Sequence, residues 1–406
     1  MQHSNKLLLA IFIGAVAGML CGWFFGKSMS SVAWLGQLFL DALKMTIIPL
    51  IVAAVISGIT SIGDVRKLGK IGGLTLLYYA CTTAIAVLIG LILVNLFEPG
   101  TGITELSHSL PDQVASSKPT GIDAIIRSLV APNLIGAASD NTRLLAVIVF
   151  CLFFAAALTT IGDKAKTLIG FFDGLNEVMM KLVIWIMYLS PVGIFALIAS
   201  QLGTSGGGQA FKQQVASIAW YILTVISGLM IHSIILFTIL LLFSKRGREY
   251  LVSLLRALIT AFGTASSSAT LPLTMECAIE AGVDKRAVKF VLPLGATVNM
   301  DGTALYEAVA VMFIAQAYGF DMGFTQQVII FITATLAAIG AAGIPQAGLV
   351  TMIIVLSAVG LPLQGIGLLL AVDWFLDRIR TTVNVWGDSV GAAVIESVLP
   401  ARDQGR

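Results

Sequence analysis

Charged residues are scarce in this 406-residue chain. Only 11% of its residues are Asp, Glu, Lys or Arg, whereas 57% are hydrophobic, and the mean hydropathy is +0.95. The formal net charge of +2 is too small for the basic surface that nucleic-acid binding needs, so we expect no nucleic-acid partner. Several apolar runs of at least about 18 residues predict instead a polytopic helical protein in a lipid bilayer.

Histidine and cysteine are also few, and neither type forms a cluster. The spacing of these residues fits no metal or haem site, and the cysteines are interpreted as small buried hydrophobes. Because no nucleophile–base pair or metal motif is present, an enzyme is the least favoured class. The residues concerned are His3, His108, His232, Cys21, Cys81, Cys151 and Cys277.

The pattern in the first two thirds of the chain predicts a series of membrane spans. The first span has no small-residue cleavage site, so we expect it to be retained rather than removed as a signal peptide. Pro49 is expected to interrupt the second span, and Pro191 lies near the end of the fifth. The expected spans cover residues 7–26, 34–60, 71–97, 143–160, 168–200 and 214–243, and residues 201–213 form a flexible outer loop.

Basic residues predict the orientation in the membrane. Short basic loops follow the second, fourth and sixth spans, at residues 66–70, 162–166 and 245–248. Such loops normally lie in the cytoplasm, whereas the polar stretch 98–140 has few basic residues and is expected outside. Both termini are then cytoplasmic, and the protein is a multi-pass protein of the inner (plasma) membrane.

The pattern changes in the last third of the chain. Residues 250–281 and 325–360 each form two half-segments too short to cross about 30 Å of hydrocarbon. Small and polar residues join the halves, at 265–272 and at 338–348, and a long polar helix follows each pair, at 286–318 and at 364–398. This repetition predicts two re-entrant hairpins in inverted repeats, with a binding site near the membrane midplane. Close helix packing by small residues is the simpler alternative.

The last long helix aligns polar residues on one face, at spacings of i, i+4, i+7, i+8, i+11 and i+15. A charge-balanced packing face is the alternative to a binding site, although each buried charge costs at least about 2.5 kcal/mol in a membrane. Arg380 suits a side-chain carboxylate because its planar fork binds carboxylates bidentately, and Asp377 suits an α-amino group. These residues therefore predict an acidic amino acid as substrate. The aligned residues are Asp373, Asp377, Arg380, Thr381, Asn384 and Asp388.

A second polar cluster, at residues 295–307, predicts cation binding. Gly302 inside a helix favours local unwinding, which frees carbonyl oxygens, and hard cations prefer carbonyl, amide and carboxylate oxygens as ligands. Na⁺ is the expected ion. One ion would take Asp301 with Tyr79, Thr82, Thr83 and Asn299. Another would take Asp388 and Asn384 with the carbonyls near Gly295 and Asn299.

Glu307 lies one helical turn after Thr303 and has no basic partner in its own helix. Burial of such a carboxyl group favours its protonated form, so Glu307 is a candidate proton carrier at neutral pH. A carboxyl group that is hydrogen-bonded to a hydroxyl, with no part in transport, is the alternative. Arg378 lies about 100° away from the polar face and is interpreted as a packing, snorkelling or functional residue.

At these residues the sequence resembles the dicarboxylate/amino acid:cation symporter family. The resemblance implies an all-α membrane protein with eight transmembrane segments and two re-entrant hairpins, assembled as a homotrimer. It also implies an elevator motion, with the second hairpin as the outer gate. The matching motifs, in order, are PLIVAAVISGI, YYACTTAIAV, SSSATLP, NMDGTALYEAV, AAGIPQAGLVTM and DWFLDRIRTTVNVWGDSVGA.

The resemblance implies a division into scaffold and transport domain. Scaffold would comprise residues 1–70 and 98–213. The transport domain would comprise 71–97 (third span), 214–249 (sixth span), 250–285 (first hairpin), 286–320 (seventh span), 321–362 (second hairpin) and 363–406 (eighth span and C-terminus).

The resemblance also implies roles for single residues. Substrate would contact Ser267, Thr303, Ile344, Gly348, Asp377, Arg380, Thr381 and Asn384. A first Na⁺ would use Gly295, Asn299, Asn384 and Asp388. A second would use backbone groups at Thr297, Met300, Ala338, Ile339 and Ala341. A third would use Tyr79, Thr82, Thr83, Asn299 and Asp301.

The sequence leaves several alternatives open for the coupled ions and for the class of substrate. Glu307 stands where archaeal aspartate transporters carry glutamine, and this carboxylate is tied to proton cotransport in the animal excitatory amino-acid transporters. Arg378 together with Ala265 also resembles the animal members, so K⁺ counter-transport stays open. A C4-dicarboxylate carrier is disfavoured by Asp377, a neutral amino-acid carrier by Arg380, and an anion channel by the cation ligands. Gln346 in the second hairpin is unusual and could alter gating.

Overall fold

Apolar helices make up nearly all of the structure. The computed structural model describes residues 2–60, 69–101, 129–139, 144–204, 208–340 and 347–398, and no β-strand occurs among them. Several of the helices are long and apolar enough to cross a membrane. The predicted polytopic all-α class is confirmed.

The helices are numbered here in chain order. The first half comprises α1 (Gln2–Phe25), α2 (Ala33–Thr60), α3 (Gly69–Phe97), α4 (Leu134–Ser139), α5 (Leu144–Ile161), α6 (Lys166–Met187), α7 (Ser190–Thr204) and α8 (Gly208–Ile239). The second half comprises α9 (Arg248–Thr264), α10 (Ser267–Glu280), α11 (Lys285–Val298), α12 (Asp301–Ala317), α13 (Phe324–Gly340), α14 (Ala347–Ala358) and α15 (Ile366–Ser397).

The hairpin helices are short, as predicted. α9 and α10 have 17 and 14 residues, and α13 and α14 have 17 and 12. At 1.5 Å per residue the longest of them reaches about 26 Å, less than the hydrocarbon thickness. The tip of the first hairpin is smaller than predicted, because only Ala265 and Ser266 are non-helical there and Pro272 lies inside α10.

The predicted fifth span, residues 168–200, is wrong as a single segment. It consists of α6 and α7, which separate at Tyr188 and Leu189, just before Pro191. Pro191 has no backbone N–H and lies in the first turn of α7, where none is needed, so the chain breaks before it rather than after it.

Two further predictions fail because helices continue farther than expected. α2 runs unbroken through Pro49 and packs on α5, α6 and α7. The predicted outer loop 201–213 is mostly helical, because α7 continues to Thr204 and α8 begins at Gly208 with good helix formers after it. Residues 205–207 lie outside the described residues.

The predicted seventh span contains the expected break, but at a different residue. α11 ends at Val298 and α12 begins at Asp301, whereas Gly302, the expected point of unwinding, is helical. α12 packs on α3, α8, α13, α14 and α15, and α15 packs on α8, α9, α11 and α12. Among the earlier helices, α1 packs on α7, and α2 on α5, α6 and α7. The break and the polar face of α15 therefore lie together in the interior.

Candidate functional site

Arg380 is the most deeply buried cation of the site. Its side chain on α15 is fully buried. Nη2 lies 2.8 Å from Asp377 Oδ1 and 2.9 Å from Asp373 Oδ1, and the guanidinium carbon is 3.8 Å from the centroid of the Tyr306 ring. Nε and Nη1 have no hydrogen-bond partner among the described residues. The guanidinium is thus paired at one nitrogen and keeps unused donors at two others.

The whole polar face of α15 points inward. None of its residues is more than 6% exposed, although the helix is otherwise apolar and long enough to meet lipid. A face directed to lipid or to a water interface is therefore excluded. The residues are Asp373, Asp377, Arg380, Thr381, Asn384 and Asp388.

Neighbouring helices bring further predicted substrate residues to this face. A Cβ atom at Gly348 of α14 would lie 2.8 Å from Arg380 Nη1, so glycine allows this backbone to approach the guanidinium. Asn384 Nδ2 donates to Thr303 Oγ1 at 3.3 Å, and Asn384 Oδ1 accepts from the backbone N–H of Gly302 at 2.8 Å.

The remaining predicted substrate residues are only partly located. Ser267, the first residue of α10, and Thr381 are both buried. Ile344 and Gln346 lie outside the described residues. Two pairs of predicted substrate residues are therefore neighbours, Thr303 with Asn384 and Gly348 with Arg380, and Asp377 is the partner of Arg380.

Asp301 collects most of one predicted cation site around its carboxylate. Thr83 Oγ1 donates to Asp301 Oδ1 at 2.7 Å, and Thr82 Oγ1 lies 3.3 Å from both Asp301 Oδ1 and Asn299 Oδ1. Tyr79 is directed elsewhere, because its hydroxyl donates to the Val291 carbonyl at 2.7 Å. The cluster supplies closely spaced hydroxyl, amide and carboxylate oxygens, which suits a hard monovalent cation.

Asp388 forms the second predicted cluster, and Asn299 joins it to the first. Asn299 Nδ2 donates to Asp388 Oδ1 at 3.0 Å, while its Oδ1 faces Thr82. A Cβ atom at Gly295 would collide with the Asp388 carboxylate and come within 2.8 Å of the Tyr79 hydroxyl, so a glycine is required there. One amide side chain therefore contacts both clusters.

The backbone residues assigned to a further ion lie near the same break. Met300 lies within it, and Thr297 is in the last turn of α11, with Oγ1 donating to Leu294 O at 3.1 Å. Ala338 and Ile339 belong to the last turn of α13, where helix carbonyls lack intrahelical partners. Ala341 lies outside the described residues.

Glu307 is fully buried on α12. Among the described residues no basic side chain pairs with its carboxyl group. Neither carboxyl oxygen has a hydrogen-bond partner among the described residues, although the Thr351 side chain is a close neighbour, and Thr351 Oγ1 donates to the Gly348 carbonyl at 3.2 Å. Glu307 is therefore connected through Thr351 to the segment that approaches Arg380.

Arg378 has a packing role. Its Nη1 donates to the carbonyls of Phe262 and Gly263, each at 2.9 Å, and its guanidinium lies over the Phe262 ring at 6.0 Å. These are carbonyls of the last turn of α9, which lack intrahelical donors. Arg378 thus links α9, in the first hairpin, to α15.

Sequence reasoning missed His232. It is fully buried in α8, and its Nε2 lies 3.0 Å from Asp301 Oδ2. Clustering was the wrong criterion, because no second histidine or cysteine is involved. An ionisable residue inside a long apolar helix was the available signal. The pairing of Asp373 and Tyr306 with Arg380 was also not predicted.

Comparison with known proteins gives the same family as the motifs. A model of the Sodium:dicarboxylate symporter family matches residues 7–398. An excitatory amino acid transporter of Caenorhabditis elegans is 39% identical over 445 residues, which covers 97% of this chain and 88% of that protein. Excitatory amino acid transporter 3 of Oryctolagus cuniculus is 39% identical over 454 residues, with coverage of 97% and 86%. The Homo sapiens protein of the same name is 39% identical over 418 residues, with coverage of 90% and 79%.

Proposed function

Because the chain belongs to the sodium:dicarboxylate symporter family, we propose that it carries acidic amino acids across the membrane together with Na⁺. The observation that carries this proposal is the fully buried Arg380 with unused donors at Nε and Nη1. A buried donor without a partner costs about 1–3 kcal/mol, so an acceptor is expected when the site is filled. The side-chain carboxylate of glutamate or aspartate supplies such an acceptor.

The zwitterionic part of the substrate lies on the other side of the guanidinium. Asp377 binds the α-amino group, since its carboxylate lies 2.8 Å from the guanidinium that receives the side-chain carboxylate. Backbone groups of the two hairpins, with Ser267, Ile344 and Gly348, receive the α-carboxylate, and Thr303, Thr381 and Asn384 complete the contacts. The approach of the Gly348 backbone to Arg380 supports this arrangement.

Na⁺ binding is coupled to substrate binding through shared residues. Asn384 contacts Thr303 on the substrate side, and its neighbour Asp388 contacts Asn299 on the cation side. Each of three ions would therefore order residues that contact the substrate. These ions would lie at the Asp388 cluster, at the Asp301 cluster and at the carbonyls near Met300. Bound Na⁺ therefore raises the affinity for the substrate, and bound substrate raises the affinity for Na⁺ by the same factor.

Proton cotransport is assigned to Glu307. Its complete burial, the lack of a basic partner among the described residues and the neighbouring Thr351, which donates to the Gly348 carbonyl near Arg380, support this role. A neutral carboxyl group fits this site better than a carboxylate because a buried unpaired charge is costly. A purely structural role of Glu307, with no proton transfer, would place the same Thr351 hydroxyl beside its carboxyl group, so the pH dependence of uptake must distinguish the two roles.

The transport cycle is proposed to be an elevator motion in a homotrimer. The two sets of helix contacts, around α2 and around α12, support a scaffold and a moving domain. The second hairpin, α13 and α14, would then open and close the pocket, because Gly348 lies at its tip-proximal end beside Arg380.

Uptake into proteoliposomes tests the proposal. Radiolabelled L-glutamate, L-aspartate, succinate and L-serine are offered under Na⁺, H⁺ or K⁺ gradients imposed one at a time, with protein-free liposomes as control. We expect concentrative uptake of the acidic amino acids that requires inward Na⁺ and rises with an inward H⁺ gradient. A channel could not concentrate them.

Each other outcome removes a defined part of the proposal. Preference for succinate or serine would contradict the roles of Asp377 and Arg380. Uptake indifferent to pH would leave Glu307 a structural residue. Stimulation by outward K⁺ would add K⁺ counter-transport to the cycle, and indifference to K⁺ would exclude it.

A further inference from the structure

His232 is a buried polar residue that has no assigned role in the proposed transport cycle. It belongs to α8, which packs on α3, α12 and α15, and no part of it is exposed. Burying an imidazole costs free energy unless its polar atoms are hydrogen-bonded. Among the described residues its ring has one hydrogen-bond partner, Asp301 Oδ2, which lies 3.0 Å from Nε2.

The two oxygens of the Asp301 carboxylate have different surroundings. Oδ1 faces the hydroxyls of Thr83 and Thr82, at 2.7 and 3.3 Å. Oδ2 faces His232, and a Cβ atom added at Gly387 would lie 3.1 Å from it. Oδ2 is thus enclosed by an imidazole and a backbone, whereas Oδ1 belongs to the oxygen cluster.

The hydrogen of His232 is assigned to Nε2 from its surroundings. Nδ1 is buried and has no hydrogen-bond partner among the described residues. A second N–H at Nδ1 would be a buried donor without an acceptor, whereas a bare lone pair there is less costly. His232 therefore donates through Nε2–H to Asp301 Oδ2.

We propose that His232 is a positioning residue for the cation site at Asp301. By holding Oδ2, it keeps the carboxylate in the one orientation that directs Oδ1 toward Thr82, Thr83 and Asn299. The inference rests on the proposed Na⁺ symport, because it assigns no new ion but a support for one of the ion's ligands. Outer partners that orient a ligand are typically worth 10–100-fold in metal affinity.

Three variants test this role in proteoliposomes: His232→Leu, His232→Gln and Ser233→Ala. Leu removes the donor, Gln keeps an N–H donor of similar reach, and Ser233 is a neighbouring control whose hydroxyl donates within α8 to Leu229. The measured quantities are the Na⁺ concentration for half-maximal uptake, the maximal rate at saturating Na⁺, and the substrate concentration for half-maximal uptake.

We expect His232→Leu to raise the Na⁺ requirement by about tenfold or more, with the maximal rate at saturating Na⁺ nearly unchanged. His232→Gln should recover most of that loss, and Ser233→Ala should match the parent protein. An unshifted Na⁺ requirement in His232→Leu overturns the proposal. Equal shifts in the Leu and Gln variants also overturn it, because they indicate a packing role without orientation.

A second measurement tests the same role if His232→Leu does not fold. Thermal unfolding of purified protein with and without Na⁺ reports ion binding without transport. His232→Gln should keep the Na⁺-dependent rise in Tm, and His232→Asn, whose amide is too short to reach, should lose most of it. Equal stabilisation of both contradicts the positioning role.

If the parent protein shows neither Na⁺-dependent uptake nor Na⁺-dependent stabilisation, the proposed function is wrong, and the role of His232 is wrong with it. A Na⁺-dependent parent with unshifted variants removes only the role of His232.

Discussion

Helices α12 and α6 are both apolar and both carry acidic residues, but they face different surroundings. Every residue of α12 except Gln316 is buried, including Asp301 and Glu307. α6 buries Met179, Val183 and Met187, while its four charged residues are exposed, namely Lys166, Asp173, Glu177 and Lys181. The comparison teaches that an acidic residue in an apolar helix indicates a site only where other helices enclose it. Enclosure cannot be read from one helix alone.

The largest expected effect is in the enclosed region, at Arg380→Cys. It removes charge-assisted donors worth about 1.5–3 kcal/mol each, so two lost bonds should weaken acidic-substrate binding by at least about 100-fold. Neutral amino acids should enter instead. Competition of unlabelled aspartate and serine against labelled uptake measures both changes.

Arg378→Cys is the matched control for this variant. It removes an arginine two positions away that donates to the carbonyls of α9, so stability should fall while the preference for acidic substrates remains. Unchanged aspartate affinity in Arg380→Cys would contradict the assigned role.

The next largest effect is expected at Gly295→Ala. The new Cβ would collide with the Asp388 carboxylate and lie 2.8 Å from the Tyr79 hydroxyl. Overpacking of this kind costs about 1–3 kcal/mol, which corresponds to a rise of about 5- to 150-fold in the Na⁺ concentration for half-maximal uptake. Titration of uptake with Na⁺ measures it. An unshifted titration would mean that Asp388 does not bind the ion.

Glu307→Gln should have a smaller effect on rate but a distinct effect on coupling. The amide fills the same space beside Thr351 but carries no exchangeable acid proton, so substrate exchange should continue while net uptake loses its response to a pH gradient. Asp173→Asn on α6 makes the same chemical change at an exposed carboxyl group and should keep the response. Net uptake by Glu307→Gln that still follows the proton gradient would exclude Glu307 as the carrier.

The smallest effect is expected on the open helix, at Gly174→Ala in α6. A Cβ atom there would meet no atom within 4 Å, and alanine favours a helix over glycine by about 1 kcal/mol. Uptake and its Na⁺ dependence should not change, and Tm should stay equal or rise slightly. A loss of uptake comparable to that of Gly295→Ala would contradict the difference between α12 and α6, because burial by other helices would then not decide which residues affect transport.

Local patterns predicted the parts of the fold that depend on one segment at a time. Two short half-segments around small residues predicted each hairpin, and the helical spacing from Asp373 to Asp388 predicted one buried face. A break in the seventh span was expected from Gly302 inside a polar helix, and the structure has it at Asn299 and Met300 instead.

The missed features depend on contacts between distant segments. Pro191 was placed inside one helix because hydropathy stays high on both sides, although a proline near a helix start fits better than one inside it. His232 and Asp301 are 69 positions apart, and no spacing rule joins them. The Tyr306 ring against Arg380 likewise required the packing of α12 on α15. Such pairs become visible only when the helices are assembled.

The break between α11 and α12 has an electrostatic consequence. An intact helix would have its charged ends far away at the two membrane faces, but this break creates a carbonyl end and an amide end in the interior. A helix terminus carries roughly half an elementary charge, negative at the carbonyl end and positive at the amide end. The end of α11 therefore attracts a cation, while the amide end of α12, where Asp301 is the first residue, attracts negative charge. Two residues of unwound chain thus create opposite fields side by side, one for the ion and one for its ligand.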